Sequence, residues 1–225
     1  MLLNRTIIFY RLNLIFSIFN VALYLQMNFN IRNYCDKDLE KVYEICLKTG
    51  DAGSDASELY QNPKLLGHVY AGPYVKLEPS SAFILEYGSE VCGYIIGTMN
   101  SKKFFEKVQL EWLPRLRGKY KIPQKSSKHY NLDDKIIHSF YFPEKPIYYS
   151  DYPAHLHIDI MPIAQRKGFG KKMMDCFFKF LRKNSINGVH LGVDIKNKRA
   201  IKFYKDYGLN TIKENRGSLI MGIEI

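Results

Sequence analysis

From residue 28 onward, runs in which apolar and polar positions alternate give way repeatedly to runs in which apolar residues return every three or four positions. The first rhythm suits strands and the second helices. Phe29 to Asn33 alternates. Asp36 can cap a helix from Lys37 to about Lys48, with Leu39, Val42, Tyr43 and Cys46 on one side and Gly50 at its end. The loop Thr49 to Ser57 is dense in Gly, Asp and Ser, as turn-rich connections are. Pro63 opens a second helix carrying Leu65, Leu66 and Val69. Ser81 to Tyr87 and Val91 to Met99 read as two strands joined through Gly88-Ser89-Glu90, a hairpin by length and composition. Ser101 can cap a helix with Phe104, Phe105, Val108 and Trp112 that ends near Pro114, and residues 117–152 read as irregular.

The alternation then resumes. A strand from His155 to Ile160 is followed by Pro162 and by Gln165-Arg-Lys-Gly-Phe-Gly170. Gly168 or Gly170 opens an amphipathic helix to about Asn184, with Met173, Met174, Phe177, Phe178 and Leu181 inward. Val189 to Val193 is a strand, Asn197 to Tyr207 a helix stopped by Gly208, and Ser218 to Ile225 a final strand. Hairpins combined with strand–helix crossovers predict an α/β protein, an α+β mixed sheet with helices on its faces.

Composition sets limits on this picture. In a chain of 225 residues, 46% hydrophobic and 24% charged residues exclude a disordered, collagen-like or multi-span membrane protein. Cys35, Cys46, Cys92 and Cys176 form no C-x-x-C pair and have no histidine at zinc-ligand spacing, so no metal is expected. Scattered thiols predict a reducing, cytoplasmic setting. Residues 1–27 differ from the rest. They carry Arg5 and Arg11, no acid, and a mostly apolar stretch from Leu12 to Met27 without a clear cleavage site. We read them as an appendage to a domain at 28–225, with a membrane anchor, or a natural start at Met27, as the alternatives.

Thirty-three Lys+Arg against 22 Asp+Glu give a net charge of +11, which favours anionic partners. On charge alone, the plainer account is a solvated basic surface that keeps the protein in solution. The acid-free stretch from Arg115 to Lys128 has no nucleic-acid motif around it, and none is expected to bind there.

The sharper feature is the glycine-bearing turn. A strand, Pro162, Gln-x-x-Gly-x-Gly and a helix start together aim backbone N–H groups at one spot, where an anion can bind without a dedicated side chain. Glycines at 168 and 170 permit close approach, and Arg166, Lys167, Lys171 and Lys172 add charge. A dinucleotide fingerprint would need glycine where Met173 stands, and the Gly-Lys-Ser/Thr of a P-loop is absent.

The run Leu156-His-Ile-Asp-Ile-Met-Pro-Ile-Ala-Gln-Arg-Lys-Gly-Phe-Gly170 resembles motif A of the GNAT superfamily of acetyl-CoA-dependent N-acetyltransferases. Asn197-Lys-Arg-Ala-Ile-Lys-Phe-Tyr-Lys-Asp-Tyr-Gly208 is similar to its motif B, at the usual separation. The loop Thr49-Gly-Asp-Ala-Gly, the run Leu66 to Tyr74 and the strand Tyr152 to Asp159 resemble the branch that includes the acetyltransferase-like domain of O-GlcNAcase. The resemblance covers nearly all of 28–225. It implies a central, mostly antiparallel sheet with one splayed strand pair and helices on both faces.

It also implies roles. Ile158, Asp159 and Ile160 would lie along the pantetheine of acetyl-CoA. The amides of Gln165, Arg166, Lys167, Gly168, Phe169, Gly170 and Lys171 would surround its pyrophosphate, and Asn197 would contact the cofactor. Tyr204 would sit near the sulfur and protonate the departing thiolate. Ala200, Phe203, Tyr204 and Tyr207 also share helical spacing, so a core aromatic is the alternative for Tyr204. His155, His157 and Asp159 alternate and should share one face of the strand, which makes them candidates for the general base. Some family members place catalytic residues at the opposite parity, held here by Ala154 and Leu156, and a bulge would exchange the faces. Asp51 and Asp55 could bind the substrate amine. The resulting expectation is acetyl transfer to a primary amine by direct attack, in a monomer or homodimer. The alternative is an inactive relative serving as an interaction module. Gln165, Gly168, Gly170, Asn197 and Tyr204 are all retained, which favours the enzyme.

Overall fold

The computed structural model describes residues 29–124 and 129–225. The appendage expected at 1–27, and the end of the basic stretch beyond residue 124, lie outside those residues. Among the described residues, seven strands form one sheet: β1 (Phe29–Asn33), β2 (Ala82–Tyr87), β3 (Glu90–Thr98), β4 (Ala154–Ile160), β5 (Gly188–Asp194), β6 (Asn210–Asn215) and β7 (Ser218–Glu224). Their order is β1-β2-β3-β4-β5-β7-β6, and every neighbouring pair is antiparallel except β4 with β5.

Each face of the sheet is covered by helices, because each presents alternate apolar residues that must leave water. On one face, Leu85, Ile95, Leu156, Leu191 and Met221 pack against α7 (Phe169–Lys183) and α8 (Lys198–Tyr207). The inward residues of α7 are Met173, Met174, Phe177, Phe178 and Leu181. On the other face, Ile84, Tyr94 and Ile96 meet α1 (Leu39–Lys48), α2 (Leu65–Tyr70) and α3 (Gly72–Leu77). α4 (Ser101–Lys107) joins that layer through Phe104, and a third cluster of Leu65, Trp112, Leu113, Leu116 and Phe140 ties α5 (Leu113–Lys119) and α6 (Leu132–Tyr141) to it. Among the described residues, no helix is long and apolar enough to cross a membrane.

Four local expectations are corrected. The first helix begins at Leu39, after a 3-10 turn at Asp36–Asp38 in which Asp38 Oδ2 accepts the Cys35 N–H. Asn100, not Ser101, caps α4, accepting the Lys103 N–H. Helical structure does not stop at Pro114: a π turn, Val108–Trp112, shifts the register so that Pro114 falls in the first turn of α5, where its missing N–H is tolerated. Residues 117–152 are not wholly irregular, because Asn131 and Asp134 form a capping box that opens α6.

Candidate active site

β4 and β5 are parallel over two rungs only, Ala154↔Val189 and His155↔His190, and then part. Between them opens a cavity of about 760 Å³. Leu156 to Ile160 of β4 and Leu191 to Asp194 of β5 line its sides. β4 stays in unbroken register with β3, from Gly93↔Ile160 to Thr98↔His155. It therefore holds no bulge, and its faces alternate simply.

The glycine turn closes one end. After a 3-10 turn at Pro162–Ala164, the chain enters left-handed conformations at Arg166 (φ 59°) and Gly168 (φ 81°). Arg166 is an uncommon residue for that region. Gly168 stands in the N-cap position of α7 with open space where a side chain would be. The orphan amides of the first helical turn and the positive end of its dipole thus face an unobstructed approach. Gln165 braces the turn: its Nε2 donates to Ile160 O at 2.7 Å and its Oε1 accepts from Arg199 Nη1 at 2.7 Å. Gln165, Arg166, Gly168, Gly170, Lys171 and Asn197 all line the cavity, and Asn197 also caps α8 through the Ala200 N–H at 3.0 Å. Lys167 and Phe169 do not line it. Phe169 is buried against Phe29, with ring centroids 4.2 Å apart, and the Lys167 ammonium lies 5.6 Å from that same Phe29 ring.

Deeper in, α8 presents Tyr204 and β4 presents His157 and Asp159 to the cavity. Asp159 Oδ2 accepts a short hydrogen bond from the Tyr94 hydroxyl. Burial pushes the Asp159 carboxyl up to about 6, against the pull of that bond. Burial, reinforced by the nearby Asp159 charge, also lifts the Tyr204 phenol above its ordinary range. No described residue bonds the Tyr204 hydroxyl, which nonetheless remains accessible. Burial drives His157 down to about 4 and His155 well below its ordinary value. His155 shares the face of His157 and Asp159 but lies outside the cavity lining, bonded to Tyr74 and Ser101.

Asp51 and Asp55 also lie outside the lining. Asp51 forms a backbone bridge with Ser54, and Asp55 accepts the amide and hydroxyl of Ser57. Ala52 and Gly53 of the same loop reach the cavity instead, together with Cys46, Thr49, Tyr60 and Tyr70. Burial raises the Cys46 thiol to about 12, so it is no nucleophile near neutrality. Sequence reasoning missed Tyr60, Tyr70, Tyr74 and Tyr94. For Tyr70 and Tyr74 the signal was their place in the run Leu66 to Tyr74.

A profile described as the acetyltransferase (GNAT) family matches residues 139–209. Rat and mouse protein O-GlcNAcase (Rattus norvegicus, Mus musculus) are each 28% identical over 192 residues, 84% of this chain and 21% of theirs. The chain thus spans about a fifth of the length of those relatives. The crystal structure of SsHAT is similar at 32% identity and a TM-score of 0.82, covering 88% of this chain and 98% of that one. The PaiA N-acetyltransferase of Thermoplasma acidophilum, in complex with coenzyme A, has the same fold at 17% identity and a TM-score of 0.51, with 88% and 99% covered.

Proposed function

Because this chain belongs to the GNAT acetyltransferase family and is an acyltransferase, we propose that it transfers the acetyl group of acetyl-CoA to a primary amine by direct attack. The observation that carries this reading is the cavity between the parted strands, closed at one end by the glycine turn. An extended acyl carrier with an anionic end suits both parts. The exposed edge of β4 supplies backbone partners for the amides of pantetheine, as in strand addition. The turn supplies unobstructed amides, with Arg166, Lys171 and Arg199 around them, for the pyrophosphate. The structure that holds coenzyme A on this fold lends support.

The remaining polar groups fit proton transfer. Asp159, poised near 6, is ionised at neutral pH and can accept a proton from the attacking amine. Tyr204, held protonated, has a free hydroxyl to donate. The amine nitrogen bonds to the thioester carbon, the C–S bond breaks, and the sulfur takes the phenol proton. Tyr204 is then reprotonated from solvent and Asp159 releases its proton, so the amide and free thiol leave with the enzyme unchanged. The test is acetyl-CoA-dependent stabilisation followed by a screen of amines for thiol release. Absence of both overturns the proposal, and binding without turnover on any amine would favour the interaction module.

A further inference from the structure

Beneath the cavity, four side chains from three elements form a continuous hydrogen-bonded chain whose direction can be worked out. It begins at Ser101 on α4, whose Oγ lies 2.8 Å from the carbonyl oxygen of Pro153 and 2.7 Å from His155 Nδ1. A carbonyl only accepts, so the single hydroxyl proton of Ser101 is directed at Pro153. Towards His155 the hydroxyl must then accept, which places a proton on His155 Nδ1. Burial keeps this imidazole neutral, so its Nε2 carries a lone pair. The Tyr74 hydroxyl, 2.7 Å away, donates to it. Having spent its proton there, Tyr74 can only accept from His157 Nε2 at 3.1 Å. His157 is half-buried and, by its partial burial, neutral, so the proton on Nε2 leaves a lone pair on Nδ1. That nitrogen has no partner among the described residues, is not sealed from solvent, and belongs to a residue of the cavity wall.

We propose that Ser101, His155 and Tyr74 are positioning residues that lock His157 in its Nε2–H tautomer. The Nδ1 lone pair is thereby presented to the cavity, where it accepts an N–H of the acceptor amine beside Asp159. The role is one of orientation. The chain ends on a backbone carbonyl that cannot take up a proton, so it is not an exit path for protons. His157 and Asp159 face the same way on β4 and both accept. Together they suit a nitrogen bearing at least two protons, which a primary amine has and a neutral secondary amine lacks. The inference rests on the acetyltransferase reading for its substrate, but the tautomer does not.

Long-range ¹⁵N–¹H correlation spectra of the ¹⁵N-histidine-labelled protein separate the two cases, with His157 assigned from the His157→Gln spectrum. The expected result is a pyrrole-like Nε2 and a pyridine-like Nδ1 at His157 in the parent, whether or not an acceptor has been found. The opposite tautomer, or an even mixture, overturns the inference while leaving the acetyltransferase reading intact. Tyr74→Phe keeps the ring that stacks on Phe104 and removes only the hydroxyl. It should release the tautomer preference and lower kcat/KM for a primary amine about 10-fold, with acetyl-CoA KM unchanged. Ser101→Ala should act in the same direction more weakly, and since Asn100 caps α4 its helix start is preserved. Folded variants with the parent's tautomer and the parent's acceptor kinetics overturn the assignment. Absence of acetyl-CoA binding in the parent would instead sink the function proposed above.

Discussion

A carboxylate held near 6 in the folded chain, against an ordinary 3.8, makes the fold less stable when ionised. The raised value means that the native state holds this proton more tightly than the unfolded chain does. Its contribution is therefore most favourable below pH 3.8 and is lost as pH rises through about 6. The gap between 3.8 and about 6, at about 1.4 kcal/mol per pH unit, amounts to about 3 kcal/mol at pH 8. Asp159→Asn removes the charge, and its amide oxygen can still accept from the Tyr94 hydroxyl. The variant should be more stable than the parent at pH 8 by up to about 3 kcal/mol, roughly 6–12 °C in Tm for a domain of this size. The difference should shrink towards zero by pH 4. Turnover should fall roughly 10²–10⁴-fold, while the parent's kcat/KM rises with pH to a plateau beyond about 6. Differential scanning calorimetry from pH 4 to 8, beside initial rates with one good amine, measures both. An Asn variant less stable than the parent at pH 8, or a gap that does not change with pH, refutes the reasoning.

Tyr204→Phe removes a hydroxyl that has no partner among the described residues. Stability should therefore change by less than about 1 kcal/mol, while kcat falls far more than acetyl-CoA affinity; equal kcat in both proteins removes Tyr204 from the mechanism. Gly168→Val places a branched side chain at φ 81° over the open approach to the turn. A branched residue is strained at that φ, so acetyl-CoA-dependent stabilisation is read as the shift from the variant's own ligand-free melting temperature. It should be weakened, and an unchanged titration would move the site elsewhere. Gly97→Ala would set a Cβ 2.3 Å from the His155 carbonyl oxygen and 2.5 Å from Phe177 Cζ. Urea denaturation should show a loss of about 1–3 kcal/mol, and a neutral result would mean that β3 and β4 yield more than packed neighbours do.

The quarter of the chain from Ala154 to Gly208 was legible because its signals are local. A strand, a glycine pair, an amphipathic stripe and a capped helix each lie within a few residues of their cause. Gly168 and Gly208, both at positive φ, act as the punctuation they suggest. The helix through Pro114 was not legible, since its continuation depends on a π turn that no apolar period encodes. Nor was β6, whose residues Asn210–Asn215 are mostly exposed and whose partner lies beyond a turn at Gly217. In the site, the turn and Tyr204 came with their motifs. The chain through Tyr74 and Ser101 did not, because it joins residues 54 and 81 positions from their His155 partner. Asp159 could be named, but its environment depends on Tyr94 across the sheet.

The two-rung junction between β4 and β5 has a consequence for how far the site reaches into the rest of the molecule. Where strands are laced along their length, backbone bonds fix their separation; past His155 and His190 nothing does. The gap works like the jaws of a calliper whose screw lies behind the sheet, in the apolar cluster that Met173, Met174 and Phe177 share with Leu156 of one strand and Leu191 of the other. A methylene added or removed there changes the aperture as well as the filling of the core. Residues that touch no substrate thereby acquire a hand in which substrates fit.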